Sequence, residues 1–244
     1  MAQPKRIAEG DRLPFFLYDT PYSSQNRFRD LLAQQAPLVL VFMANFGHPI
    51  TRNFANRYAA SHHMLQSGGF ALVVRSRADK LASIGPDTLP YPLLCDAEGV
   101  LYDRLMIPQS TSTLMSCSLE GWRILREAKK QGYRPAKNSP QQLPLTLILD
   151  RDGTVLFCHY GASLTDVPAD CAAMQSLLEE LELVEPPQEE APLVEYAPDD
   201  EVLQLLQGVE AFRTGSEDQW VAPLPGEASD DWEPSGKISL YPDL

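Results

Sequence analysis

Leu38-Val39-Leu40-Val41-Phe42, followed by Asn45-Phe46-Gly47-His48-Pro49-Ile50-Thr51-Arg52, is the stretch that decides how this chain folds. The first five residues are all apolar, as expected of a short strand buried on both faces. After the turn at Asn45 to Pro49, Phe54, Tyr58, Ser61 and Leu65 follow at i, i+4, i+7 and i+11, which is helical spacing with a mostly apolar stripe. Gly68-Gly69 stops that helix.

The same alternation continues outward. Phe70 to Val74 reads as a second buried strand, Asp79 to Ile84 as one or two helical turns, and Val100 to Ile107 as a short helix. Leu145 to Leu149 is a third strong strand. Asp150-Arg151-Asp152-Gly153 then turns the chain, with Gly where positive φ is cheap. Val155, Phe157 and His159 alternate with Leu156, Cys158 and Tyr160, completing a β-hairpin. From Asp166 as N-cap, a last helix places Cys171, Met174, Leu178 and Leu181 on one face and ends before Pro186-Pro187. The order predicts an α/β sandwich with a central mixed sheet flanked by helices.

Composition is that of a globular protein: 244 residues, 44% hydrophobic and 22% charged. The longest apolar cluster, Leu38 to Ala44, falls far short of the roughly 20 residues that span a bilayer, so no membrane partner is expected. The first ten residues lack an apolar stretch of secretory type, so a cytoplasmic location is expected. The net charge of −13 is unevenly placed: residues 185–244 hold 15 acids and 2 bases, whereas residues 1–184 are neutral. We therefore expect a domain over 1–184 and an acidic, Pro-rich extension over 185–244, with one helix at 199–212. An acidic excess opposes nucleic-acid binding. Cys95, Cys117, Cys158 and Cys171 show no metal or dithiol spacing, and His62-His63 point about 100° apart on a helix, so neither a metal nor another cofactor is expected.

The strand, loop and helix at 38–58 resemble those of peroxiredoxin-like proteins, in the alkyl hydroperoxide reductase/thiol-specific antioxidant (redoxin) branch of the thioredoxin-fold superfamily. Gly10-Asp11-Arg12-Leu13-Pro14-Phe15, Tyr91-Pro92-Leu93-Leu94-Cys95-Asp96 and Leu143-Pro144-Leu145 to Gly153 are similar in order and spacing, as are His159-Tyr160-Gly161, Asp166 and Pro168. The resemblance covers roughly residues 8–183. It implies a thioredoxin-like three-layer sandwich, a cis peptide before Pro144 facing the loop, and antioxidant thiol peroxidase chemistry.

The loop departs from that pattern at the reacting atoms. The family's loop carries Gly-Cys-Pro-x-Cys-Arg or a single peroxide-reactive cysteine; here those positions are His48 and Thr51, with Gly47, Pro49 and Arg52 kept. A cysteine at a helix N-terminus is activated because unpaired amides and the helix dipole stabilise its thiolate. Thr51 has no such ionised form and no sulfenate state. The expectation is a degenerate active site in a non-catalytic binding or regulatory module, with His48 capping the helix. The alternatives are a relocated thiol, Cys117 being the cysteine expected to be most exposed, and a His48-centred hydrolase. Arg52 beside free amides suits a small anion or a protein partner. Arg123, Arg126 and Lys130 share a helical face that suits either solvent or this chain's own acidic extension. The oligomeric state, including a homo-oligomer, is left open.

Overall fold

The computed structural model describes residues 6–110, 116–134 and 141–184. The chain divides into two units, Met1–Gln188 and Glu189–Leu244, and the architecture below is that of the first. The acidic extension and the helix expected at 199–212 lie outside the described residues.

In chain order the elements are β1 (Leu17–Tyr18), β2 (Asn26–Arg27), α1 (Phe28–Gln35), β3 (Leu38–Met43), α2 (Pro49–Ser61), β4 (Gly69–Val74), β5 (Leu93–Cys95), α3 (Val100–Arg104), β6 (Gln109–Ser110), α4 (Leu119–Lys130), β7 (Gln141–Gln142), β8 (Leu145–Leu149), β9 (Val155–Tyr160) and α5 (Cys171–Glu180). The central sheet has the order β5-β4-β3-β8-β9. β3 runs parallel to β4 and antiparallel to β8, and β8 and β9 form the expected hairpin.

Period-2 geometry explains why β3, β4 and β8 are apolar throughout. Alternate residues of β3 enter different cores. Leu38, Leu40 and Phe42 pack with Phe28 and Leu32 of α1, Leu147 and Tyr102. Val39, Val41 and Met43 pack on the other face with Phe54 and Tyr58 of α2 and Met174 and Leu178 of α5. Both faces of the sheet are thus covered, giving three layers.

The structure revises several boundaries. α2 ends at Ser61 and passes into a 3-10 turn at His62–Met64, so Leu65 lies beyond the helix. Gly69 does not stop a helix but opens β4, where a Cβ would fall 2.4 Å from that of Gln35. The turn expected at Asp79 to Ile84 is a 3-10 helix at Ala78–Leu81. α3 stops at Arg104 instead of Ile107, and Met106 takes φ +51°. The N-cap of α5 is Asp170, whose side chain accepts from the Ala173 amide at 2.9 Å. Asp166 caps nothing: its carboxylate is engaged by the Ala162 amide at 2.7 Å and by His159. Among the described residues no helix is long and apolar enough to cross a membrane.

Candidate functional site

The loop after β3 is fixed from two sides. The Phe46 amide donates to Ser76 Oγ at 2.8 Å, beyond the end of β4, and the His48 amide donates to Asn45 O at 3.0 Å. α2 then begins with Pro49 at N1, where the missing N–H costs nothing. The first helical bond runs from the Arg52 amide to His48 O at 3.1 Å.

His48 occupies the N-cap position, but its side chain makes no capping bond. This corrects the expected role. His48 is only 7% exposed, its Nδ1 is buried without a hydrogen-bond partner among the described residues, and its ring stands edge-on to Tyr133. Burial lowers its pKa to about 4. Thr51 is 1% exposed, and its Oγ1 also lacks a partner. Asn53 Oδ1, two residues further along α2, is unpartnered as well. Among the described residues four buried side-chain polar atoms are unpartnered, and three belong to His48, Thr51 and Asn53. Arg52, between them in sequence, is exposed and forms no ion pair with a described residue.

His48 and Thr51 face Pro144, Gln142 and Leu164 across a gap that has no room for a water molecule. Gln142 is held firmly there: its Oε1 accepts from Arg75 and Gln109, and its Nε2 donates to the carbonyls of Ile107 and Pro108, both at 3.2 Å. Pro144 faces the loop as expected, but its peptide bond is trans; the cis bond among the described residues is Ala36–Pro37. Its position is set by neighbours, since the Gly161 amide donates to Pro144 O at 2.9 Å and the ring fills the space a Gly161 side chain would need.

The four thiols lie elsewhere and are all unactivated. Burial pushes Cys95 and Cys158 up to about 11 and raises Cys117 and Cys171 as well. Cys117 is half-buried, like Cys95 and Cys158, and is not the exposed cysteine the polar sequence around it suggested. It packs beneath the start of α4, close to Gly121. Cys158 is partly buried on β9, and its thiol donates to Ile7 O. Arg123, Arg126 and Lys130 are exposed on α4, whose Ile124 and Leu125 turn inward. Among the described residues no three His, Cys, Asp or Glu side chains are placed to hold a metal.

Sequence reading missed Tyr133, Gln142 and Asn53 around the loop, and the orphaned Thr146 Oγ1 on β8. Only strand alternation signalled Thr146, by setting it opposite His159 in the hairpin register.

No protein-family model and no curated sequence matches the chain. Solved structures do. A mutant of the peroxiredoxin 6 of Arenicola marina superposes over 82% of this chain and 89% of its own, with a TM-score of 0.50 at 15% identity. Reduced Prx3 of Vibrio vulnificus, in complex with hydrogen peroxide, matches over 70% of this chain and 99% of its own, with a TM-score of 0.50 at 14% identity. The fold is thioredoxin-like. Within this thioredoxin-like domain the loop from β3 to α2 has His48 at its N-cap and Thr51 in its first turn, and neither carries sulfur. At such identities the likeness concerns backbone architecture, so chemistry has to be argued from the side chains present.

Proposed function

We propose that this chain is a peroxiredoxin-like protein without thiol peroxidase chemistry, acting as a binding or regulatory module through the loop from His48 to Arg52. The observation that carries the reading is the state of that loop. Where the resembled family places a reactive thiolate, this chain buries polar atoms of His48 and Thr51, with Asn53 two residues on, that no group among the described residues satisfies. Unpartnered buried polar atoms cost stability, and a partner that opens the loop and bonds to them offsets that cost. Arg52, exposed in the same turn, adds a positive charge beside unpaired amides, which favours a small anion. The thiols support the absence of peroxidase chemistry: all four have raised pKa values, and a protonated thiol is a poor nucleophile.

The test is stopped-flow oxidation of the reduced full-length protein by hydrogen peroxide, with mass spectrometry on each cysteine. We expect no cysteine to react faster than a free thiol. A fast reaction at Cys117 overturns the reading and moves the active site to that residue. In parallel, titration with inorganic phosphate is expected to shift the His48 and Arg52 resonances saturably, and Arg52→Gln is expected to abolish that response.

A further inference from the structure

A second cavity lies on the face of the hairpin, between β9 and the start of α5, and shares no lining residue with the space at His48. Its volume is about 260 Å³. That is just under the roughly 300 Å³ at which sites for drug-sized ligands begin, so it suits a smaller molecule. The walls are Phe157, Pro168 and Leu177, and the polar groups are Thr146, His159 and Asp166.

The polar groups arise from the hairpin and the loop that follows it. Thr146 and His159 are cross-strand partners, so their side chains stand on the same face of the sheet. Seven residues after His159 the chain returns with Asp166, whose Oδ1 lies 3.0 Å from His159 Nε2. Asp166 Oδ2 accepts the Ala162 amide at 2.7 Å, which locks the returning loop. Burial raises the pKa of Asp166, but the Ala162 and His159 bonds outweigh it and hold the carboxyl below its ordinary value. A carboxylate can only accept, so His159 Nε2 carries the hydrogen between them, and Nδ1 is the ring nitrogen left over. Thr146 is 1% exposed, and its Oγ1 is the fourth unpartnered buried polar atom. Rotation about its Cα–Cβ bond exchanges hydroxyl and methyl at the cavity wall.

We propose that this cavity is a binding site for a small uncharged hydroxylated ligand with an aromatic or alicyclic body, of which phenol is the simplest form. The ring packs against Phe157, Pro168 and Leu177. The ligand hydroxyl is read by Thr146 and by His159, which Asp166 orients. The carboxylate of Asp166 disfavours an anionic ligand, and its charge is already used on His159. This site is independent of the reading given for the His48 loop.

The test is a titration of the isotopically labelled full-length protein with phenol, read by amide and methyl NMR shifts. We expect saturable shifts at Thr146, Phe157, His159 and Leu177 with a millimolar dissociation constant. Thr146→Val keeps the side-chain shape, removes a hydroxyl that has no partner, and is expected to weaken phenol roughly tenfold. Leu177→Trp fills the cavity and is expected to abolish binding in a protein with an otherwise unchanged spectrum. Acetate is expected not to bind. The proposal is overturned by any of four results: no saturation, full binding in Leu177→Trp, undiminished binding in both Thr146→Val and His159→Phe, or acetate binding as tightly as phenol. Each result leaves peroxide kinetics and phosphate binding at the loop unaffected.

Discussion

The imidazole of His48 stands edge-on to the ring of Tyr133, with centroids 6.2 Å apart and planes at 79°. The contact joins the N-cap of α2 to the segment after α4, and it takes the imidazole out of water. The neutral ring is the form this environment accepts, since burial brings its pKa from 6.5 to about 4.

A pH dependence of stability follows. The unfolded chain protonates this histidine near pH 6.5, whereas the folded chain holds it neutral down to about pH 4. Between these values the unfolded state binds more protons, so acid favours unfolding. The contribution is fully present above about pH 6.5 and is lost as the pH falls to about 4, reaching roughly 3 kcal/mol. Tyr133 packs against the ring, and burial raises its pKa further from this window. Urea unfolding of wild type and His48→Gln at pH 7 and pH 4.5 measures it: the wild type is expected to lose more stability on acidification than the variant.

Thr51 offers a direct test of whether its hydroxyl is bare. Thr51→Val keeps the shape and removes the unsatisfied Oγ1. In ligand-free protein we expect it to raise unfolding free energy by about 1 kcal/mol, measured by denaturant titration. A loss of similar size would show that the hydroxyl is already satisfied.

The start of α2 has the electrostatics that lower the pKa of a thiol, although no cysteine stands there. In His48→Cys the sulfur sits at the N-cap of α2, before the unpaired amides of Ile50 and Thr51. We expect this thiol to titrate at least about one pH unit below the four native ones. Thiolate absorbance near 240 nm and the rate of alkylation measure it. A thiol as unreactive as Cys95 shows that burial at this position outweighs the helix terminus.

Gly161 is tested by size alone. A Cβ there would lie 2.6 Å from Pro144 Cγ and 2.7 Å from Asp166 O, so Gly161→Ala must push the proline or the loop that carries Asp166. We expect a loss of about 2 kcal/mol in denaturant unfolding. The same variant is expected to perturb NMR shifts at both His48 and His159.

The central sheet was legible in the sequence because β3, β4 and β8 are covered on both faces, which turns a tertiary fact into a local apolar run. The loop at His48 was legible for a related reason, since the end of a strand and the start of a helix leave a fixed punctuation. What failed to show was every choice made between equivalent local candidates. Asp166 and Asp170 are both good N-caps, and the bonds to the Ala162 amide and to His159 take Asp166 out of contention. Cys117 sits in a polar stretch, yet the packing of α4 over it decides its burial. The cis bond fell at Ala36–Pro37 and not before Pro144, which residue type alone cannot distinguish. The orphaned oxygens of Thr51 and Thr146 are likewise properties of what surrounds them.

The order β5-β4-β3-β8-β9 has a consequence for how the protein is made. β3 meets β4 after a short crossover, but its other edge waits for β8, about 100 residues later in the chain. At the roughly 5–20 residues per second of synthesis, that is some five to twenty seconds during which a nascent chain carries Leu38–Met43 with one side unpaired. A six-residue apolar strand with an open edge is a template for pairing with other chains. The ribosome-bound intermediate, more than the finished fold, is therefore the species that most needs protection from aggregation.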